Sequence, residues 1–373
     1  MTTKADTSVK WFHSGMADAP VLSATAAGSL INLLDVCLLN GFSVRTPDSI
    51  VVADGVATVS ISAGNPYEKH AVVVISGVSN AALNAEWRIA TSGASSFTFA
   101  CPGVANGTVT GASVKRAAAG WSKPFSDTNK AAYQSLDPNS TQLYLQVDDT
   151  ATSYSKVRGY EQMTSATAGT GLFPTTAQVA DMRWPRNGGN TWAIIADGLF
   201  MWVMPKASNA LLLNHFGDLK SIVPNDKYHC TLAAVSGTST NGGSHPNAGS
   251  NSSTSYPRIL ARPADQVGSP IASFGTVFLS GSTNSWGGVS AASPSFDGAV
   301  RIGGSVLAIN AGSAAEKVRG MIPGAVATIE EPVLSNFGVV EVGDDVYLSL
   351  YCHMRANSTF PTYGIFDIKG PWR

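Results

Sequence analysis

Five places in this 373-residue chain set chemically useful side chains next to one another. Asp148-Asp149, Asp344-Asp345 and Glu330-Glu331 each join two carboxylates. Such a pair could hold a metal ion, or, with Glu161 near the first of them, cleave a glycosidic bond. Asp148-Asp149 also has a plainer use: it ends a strand before Thr150, where aspartate caps turns. Asp344-Asp345, and Glu330-Glu331 before Pro332, read the same way. His229-Cys230 and Cys352-His353 each put a thiol beside an imidazole, and two such dyads could close round zinc. Neighbours on a strand point to opposite faces, so one dyad cannot easily chelate through both side chains; both read as core. Trp184, Trp192, Trp202, Trp286 and Trp372 could stack on sugar rings. Trp192 and Trp202 lie in apolar runs and read as core. Trp286, in Thr283-Asn284-Ser285-Trp286-Gly287-Gly288, lies in a loop and is the candidate ligand contact. Asn241-Gly242-Gly243 lacks the lysine of a phosphate loop, and no serine sits in a G-x-S-x-G elbow. The expectation is no catalytic residue, no cofactor and no metal: a chain that is not an enzyme.

The elements that must position these residues are strands. Charged residues are 13% of the chain, with 37 Gly and 19 Pro. Few Lys and Glu among many Gly, Ser and Thr suits short strands and many turns. A surface this poor in charge is only weakly kept from other proteins by repulsion. The formal net charge is −1, which gives no basic excess to meet a phosphate backbone and argues against nucleic acid as a partner. No apolar window is long enough to span a membrane, and the N-terminus lacks the apolar core of a signal peptide. Cys37, Cys101, Cys230 and Cys352 are far apart, with no metal spacing, and read as reduced, buried residues.

The fold class expected is mainly β and multi-domain, with one N-terminal amphipathic helix. In residues 26–40, Leu30, Leu33, Leu34, Cys37 and Leu38 recur at helical spacing before the Asn40-Gly41 stop. That stripe packs on its own domain or forms a subunit interface. Residues 49–115 hold six short strands separated by Gly and Asn turns, a small barrel or sandwich with no helix longer than about two turns. Further on, Leu143, Leu145 and Val147 alternate with polar residues, and the chain resumes at Lys156 after a polar turn, a hairpin. Ala196-Asp197-Gly198 reads as a turn between two apolar strands. The expected divisions are an arm and helix over 1–48, a β module over 49–116 and a larger β-rich domain over 117–373.

Within the module, Val74-Ile75-Ser76-Gly77-Val78, Ala82-Leu83-Asn84-Ala85-Glu86-Trp87 and Phe97-Thr98-Phe99 resemble a small β module common in bacteriophage tail and fibre proteins. Ala85 stands where that pattern has Gly, so the turn after Asn84 is expected to differ. The remainder carries Lys123-Pro124-Phe125-Ser126-Asp127-Thr128-Asn129, Asp148-Asp149-Thr150, Arg158-Gly159-Tyr160-Glu161 and Phe173-Pro174-Thr175. Phe216-Gly217-Asp218, Tyr228-His229-Cys230 and Gly370-Pro371-Trp372-Arg373 follow. With the opening around Trp11 and Leu30, this set resembles one family of bacteriophage virion structural proteins over most of the chain. The resemblance implies a tail, baseplate or fibre-attachment component located in the virion and acting through contacts with other virion proteins. The alternatives are a receptor- or host-glycan-binding adhesin of the tail and a head decoration protein.

Three stretches have few apolar contacts of their own: the arm around Trp11 and Phe12, the polar loop 236–255 and the C-terminal Gly370-Pro371-Trp372-Arg373. Ordering a residue costs roughly 1–2 kcal/mol, so another subunit is expected to clamp at least one of them in a homo-oligomer. Trp11, Phe12, Leu30, Leu34 and Trp372 are the candidate interface residues.

Overall fold

The computed structural model describes residues 3–207, 210–236, 258–276, 302–310, 317–328, 334–352 and 362–373, and structural statements concern these. The architecture is mainly β, as the alternation demands. In the strands Ser49–Ala53, Val56–Ser60 and Ser96–Ala100, every second residue is buried: Ile50 and Val52, Ala57 and Val59, Phe97 and Phe99. These belong to a five-stranded sheet. A three-stranded sheet, Glu86–Arg88, Val72–Ser76 and Ser113–Arg116, supplies Trp87, Val73, Ile75 and Val114 to the same core cluster. Two sheets sharing one core form a sandwich, and the sole helix in this stretch is the 3-10 turn Ala81–Leu83. Trp87 stacks on Phe99 at 4.8 Å and its indole N–H donates to the Leu83 carbonyl. Asn84, before the departing Ala85, has φ −73° and holds Val78 through both its N–H and its carbonyl, so the turn closes without a glycine.

The N-terminal helix is shorter than its apolar stripe. Ser29–Leu34 is α-helical, and Asp35–Asn40 continues as a wider π-helical turn. Leu30, Leu33, Leu34, Cys37 and Leu38 are all buried in the chain's own larger core. Gly41 ends the helix at φ +71°, with the Arg116 carbonyl only 2.0 Å from where a Cβ would stand, so glycine is required there.

The expected hairpin pairs Tyr144–Asp148 with Tyr154–Tyr160, Leu145 opposite Gly159 and Val147 opposite Val157. It lies within a six-stranded sheet. The apolar strands Trp192–Ala196 and Phe200–Ala207 flank Asp197 and run through a fourteen-stranded sheet. That sheet curls because Phe200–Ala207 is shared along one edge. Its first half pairs with Asn214–Asp218, and its last residues pair with Ala210–Leu211.

Of the three stretches of which at least one was expected to be clamped by another subunit, the arm and the C-terminus are held by this chain itself. Lys10–His13 adds antiparallel to Trp192–Ala196 of its own sheet, Trp11 opposite Ile195 and Phe12 opposite Ile194. Arg88 of the module then ties three segments together. It donates to the carbonyls of Asp6 and Val9 in the arm, His70 in the module and Ile368 near the C-terminus. At the other end Arg373 donates to the Leu219 and Asp218 carbonyls. Local sequence could not show this, because every acceptor is a backbone carbonyl far away in the chain. Residues 237–255 of the polar loop lie outside the described residues.

Candidate functional site

Of the acidic pairs, Asp148-Asp149 has the most surroundings, and the two carboxylates do different things. Asp148 accepts from the backbone N–H and the hydroxyl of Thr150, the expected turn cap. Asp149 is fully buried. One of its oxygens accepts from Arg186 Nη2 at 2.6 Å, Arg186 Nε at 3.2 Å and the Ser155 hydroxyl at 2.5 Å. The other accepts the backbone N–H of Leu30 at 2.8 Å and of Ile31 at 3.4 Å. Gly28, at the helix N-cap, has no side chain to do this, so Asp149 caps the helix from the neighbouring sheet, where a negative charge is favoured. Arg186 passes its remaining bonds to the carbonyls of Ser23 and Ala151. A carboxylate so occupied is a structural clasp.

The other motif residues build the frame as well. Gly159 exchanges both backbone hydrogen bonds with Phe173, whose ring lies where a Cβ would stand, 2.2 Å from its Cζ. At Gly217 the Leu199 carbonyl occupies the Cβ position. Trp372 covers Gly324, which has φ +75°, and donates to the Asp367 carbonyl. Asp197 accepts the N–H groups of Leu199 and Phe200 in its hairpin turn; burial pushes its carboxyl up from the usual range.

Two hollows meet on the face between the hairpin and the loop before Cys230. One, of about 630 Å³, is lined by residues including Asn139, Lys220, Asn225 and Arg373. The other, of about 480 Å³, includes Tyr144, Glu161, Gln162 and Tyr228. Thr141 and Lys227 line both, which makes them one groove. The carboxylates that line it, Asp226 and Glu161, are both engaged, and Asp218 touches it only through Thr141 and His229. Asp226 makes a two-pronged pair with Arg319, at 2.8 and 2.7 Å. Burial alone would raise that carboxyl, but Arg319 brings it below the usual range. Glu161 is gripped by Arg262 at 2.5 and 2.6 Å, and Arg262 lies 4.3 Å over the Tyr228 ring. Asp218, raised by burial, accepts the Thr141 N–H and hydroxyl, with His229 Nε2 at 3.8 Å. His229 Nδ1 faces the Asp226 carbonyl, which can only accept, so Nδ1 carries the hydrogen.

A second surface is defined by strand register. Thr91, Thr98, Thr58, Val51 and Thr108 stand opposite one another across the five-stranded sheet, facing away from its core. The rows beside them are Ser96, Ser60 and Ser49, and Ala100, Val56 and Ala53. This outer face carries no ionisable side chain.

The candidate interface residues do not meet on a surface. Trp11, Phe12, Leu30 and Leu34 are at most 3% exposed and Trp372 is 7% exposed, all within the chain's own core. They are corrected to core positions: β-pairing and the clasp bury them inside one subunit. Trp184, Trp192 and Trp202 are buried too, and each indole N–H donates to a backbone carbonyl. Trp286, Glu330-Glu331 and His353 lie outside the described residues. Cys230 and Cys352 are buried, and burial raises both thiols, Cys352 to about 12. Among the described residues no group of three or more His, Cys, Asp or Glu side chains could hold a metal, and no helix is long and apolar enough to cross a membrane. Sequence reasoning missed the arginines. Arg88, Arg186 and Arg319 are buried, and their only trace was charge inside apolar runs such as Met182-Arg183-Trp184-Pro185-Arg186.

No protein-family model matches the chain, and no curated protein sequence does. Among solved structures it is similar to one described as "Phage phi92 endosialidase", at 11% sequence identity and a TM-score of 0.18. The match covers 89% of this chain and 52% of that one, so the chain spans about half that structure's length. A superposition this loose carries no inference about fold or function.

Proposed function

We propose that the chain is a structural protein of a bacteriophage virion, a component of the tail, baseplate or fibre attachment, working through protein–protein contacts and without catalysis. One observation carries the reading: the motifs behind the resemblance to virion proteins are used on the frame. Asp149 clasps the helix to the hairpin, Gly159 seats Phe173, Trp372 covers Gly324, and Arg373 ties the C-terminus to the Leu219 carbonyl. A family identified by frame-building residues is one whose shared property is a shape, which suits a part in an assembly. The outer face of the sandwich supports it, since its strand rows carry no charge and exposed Asp48 and Asp54 stand only at its rim. Contacts with other virion proteins or further copies of the chain belong to this proposal, as does location in the virion.

Mass spectrometry and immunogold labelling of purified particles test it. The chain should be found in stoichiometric amount at one fixed place on the particle. Particles that lack it would refute a structural role. Incubation with host surface polysaccharide tests the absence of catalysis: chain shortening that disappears in an Asp149→Asn variant whose thermal midpoint is unchanged would restore the hydrolase reading.

A further inference from the structure

We infer that the joined groove is a binding site for an acidic saccharide, a sugar chain bearing carboxylate or phosphate groups. The first ground is charge. Asp226 and Glu161 are neutralised by Arg319 and Arg262, and Asp218 is turned to Thr141. Lys220 and Lys227 are exposed, with no ion partner among the described residues; Arg373, in the same wall, is already paired with Asp197 at 3.6 Å, so the two lysines carry the groove's free charge. A chain with a formal net charge of −1 thus presents a positive groove.

The second ground is the lining. Asn139, Gln162 and Asn225 are exposed amides, each with donors and acceptors, the mixture that vicinal hydroxyls require. Tyr144 adds ring surface for the C–H face of a sugar, and Tyr228, whose ring is covered by Arg262, adds its hydroxyl. Two lysines and an arginine are too few to follow a nucleic-acid backbone.

The third ground is preorganisation. Gln142 and Asn225, at the rim, both hold left-handed backbone, with φ of 58° and 56°. Residues with side chains other than Asn seldom adopt it, so Gln142 needs a lock. Gln142 is locked by its own amide donating to the Asp137 carbonyl at 2.7 Å. Asn225 is held by Gln266, whose amide donates to its carbonyl at 2.9 Å. Walls fixed before the ligand arrives lower the cost of binding.

This site does not depend on the virion reading, and the two fail separately, one by particle composition and the other by sugar binding. The test puts the full chain on an array of bacterial surface oligosaccharides carrying uronate, sialate or phosphate groups. The same sugars with the acid reduced or removed stand beside them. Retention of at least one acidic sugar is expected, weakened about tenfold or more in its neutral counterpart and in Lys220→Ala/Lys227→Ala. Binding should also fall at about 0.5 M salt. Both lysines are exposed, so that variant should melt with the wild type. Whether carboxylated or phosphorylated members are retained identifies the source of the charge. No retained acidic sugar, equal binding of the neutral counterpart, or wild-type binding by the double-lysine variant would each overturn the assignment.

Discussion

Removing the Asp149 carboxylate should be among the most damaging single changes in the chain, and most of the damage should be reversible by a second one. In Asp149→Ala the Arg186 guanidinium stays buried, with only the Ser23 and Ala151 carbonyls to accept from it. Breaking a buried pair by deleting one partner typically costs about 3–5 kcal/mol, because the other charge is left uncompensated. The N–H groups of Leu30 and Ile31 lose their acceptor as well, a cap worth about 1 kcal/mol. In Asp149→Ala/Arg186→Met no charge remains buried and only the cap is missing. The double variant should therefore lie about 1–2 kcal/mol below wild type, clearly above Asp149→Ala, with a favourable coupling of at least about 2 kcal/mol. Urea titration followed by tryptophan fluorescence measures this, with all four proteins of the cycle compared at one pH. Additive losses in the double variant would refute the clasp, and so would an Asp149→Ala midpoint equal to wild type. A loss of binding or of sugar cleavage in Asp149→Asn without a loss of stability would point to the chemistry set aside for this residue.

Two further outcomes are expected. Gly159→Ala should lower the urea midpoint by the equivalent of about 1–3 kcal/mol, since a Cβ would stand 2.2 Å from the Phe173 ring; combining it with Phe173→Leu should recover part of the loss, and a neutral Gly159→Ala would show that the ring can move away. Mild acid should destabilise the fold through His13, which burial lowers to about 4 and whose Nδ1 accepts the Gly15 N–H. The unfolded chain takes up that proton first, so the contribution is full above about pH 6.5 and is lost as pH falls towards 4. Burial raises the carboxyls of Asp197, Asp218 and Asp367, which therefore act in the opposite sense. The measurement is thus the stability lost between pH 7 and pH 5, which should be greater in wild type than in His13→Phe by on the order of 2 kcal/mol, and identical losses would exclude His13 as the source.

How much of this was legible in the sequence depended on the distance over which each signal acts. The alternation of Leu143, Leu145 and Val147 is local and gave the hairpin. The spacing of Ile50, Val52, Ala57 and Val59 is local too and gave the module. The leucine stripe gave a buried helix, but not the change to a π-helical turn after Leu34. Trp11, Phe12 and Trp372 were misplaced because an aromatic residue without apolar neighbours in sequence looks unsupported. Their support is the Trp192–Ala196 strand for the arm and Phe200 for Trp372, both far away in the chain. The turn cap expected of Asp148-Asp149 belongs to Asp148 alone; besides the nearby Ser155, the partners of Asp149 lie 37 and 119 residues away, beyond the reach of local sequence.

The same distance argument explains why the groove carries no sequence motif. Its positive character is not a cluster of basic residues but a subtraction. Carboxylates at 218 and 226 are close to lysines at 220 and 227 in sequence, Glu161 joins them only in the fold, and a residue count would call the region neutral. Arg262 and Arg319, which neutralise two of those carboxylates, come from strands and loops formed much later in the chain. Only when those arginines fold inward are Lys220 and Lys227 left as the exposed charge. The prediction that follows is reciprocal. Arg262→Gln would release Glu161 into the groove beside Lys227, and acidic sugars should then bind several-fold more weakly although no ligand-facing residue has changed. The loss should shrink at high salt, where the freed carboxylate is screened. A variant that keeps its thermal midpoint and its wild-type sugar affinity would show that the groove's charge is set some other way.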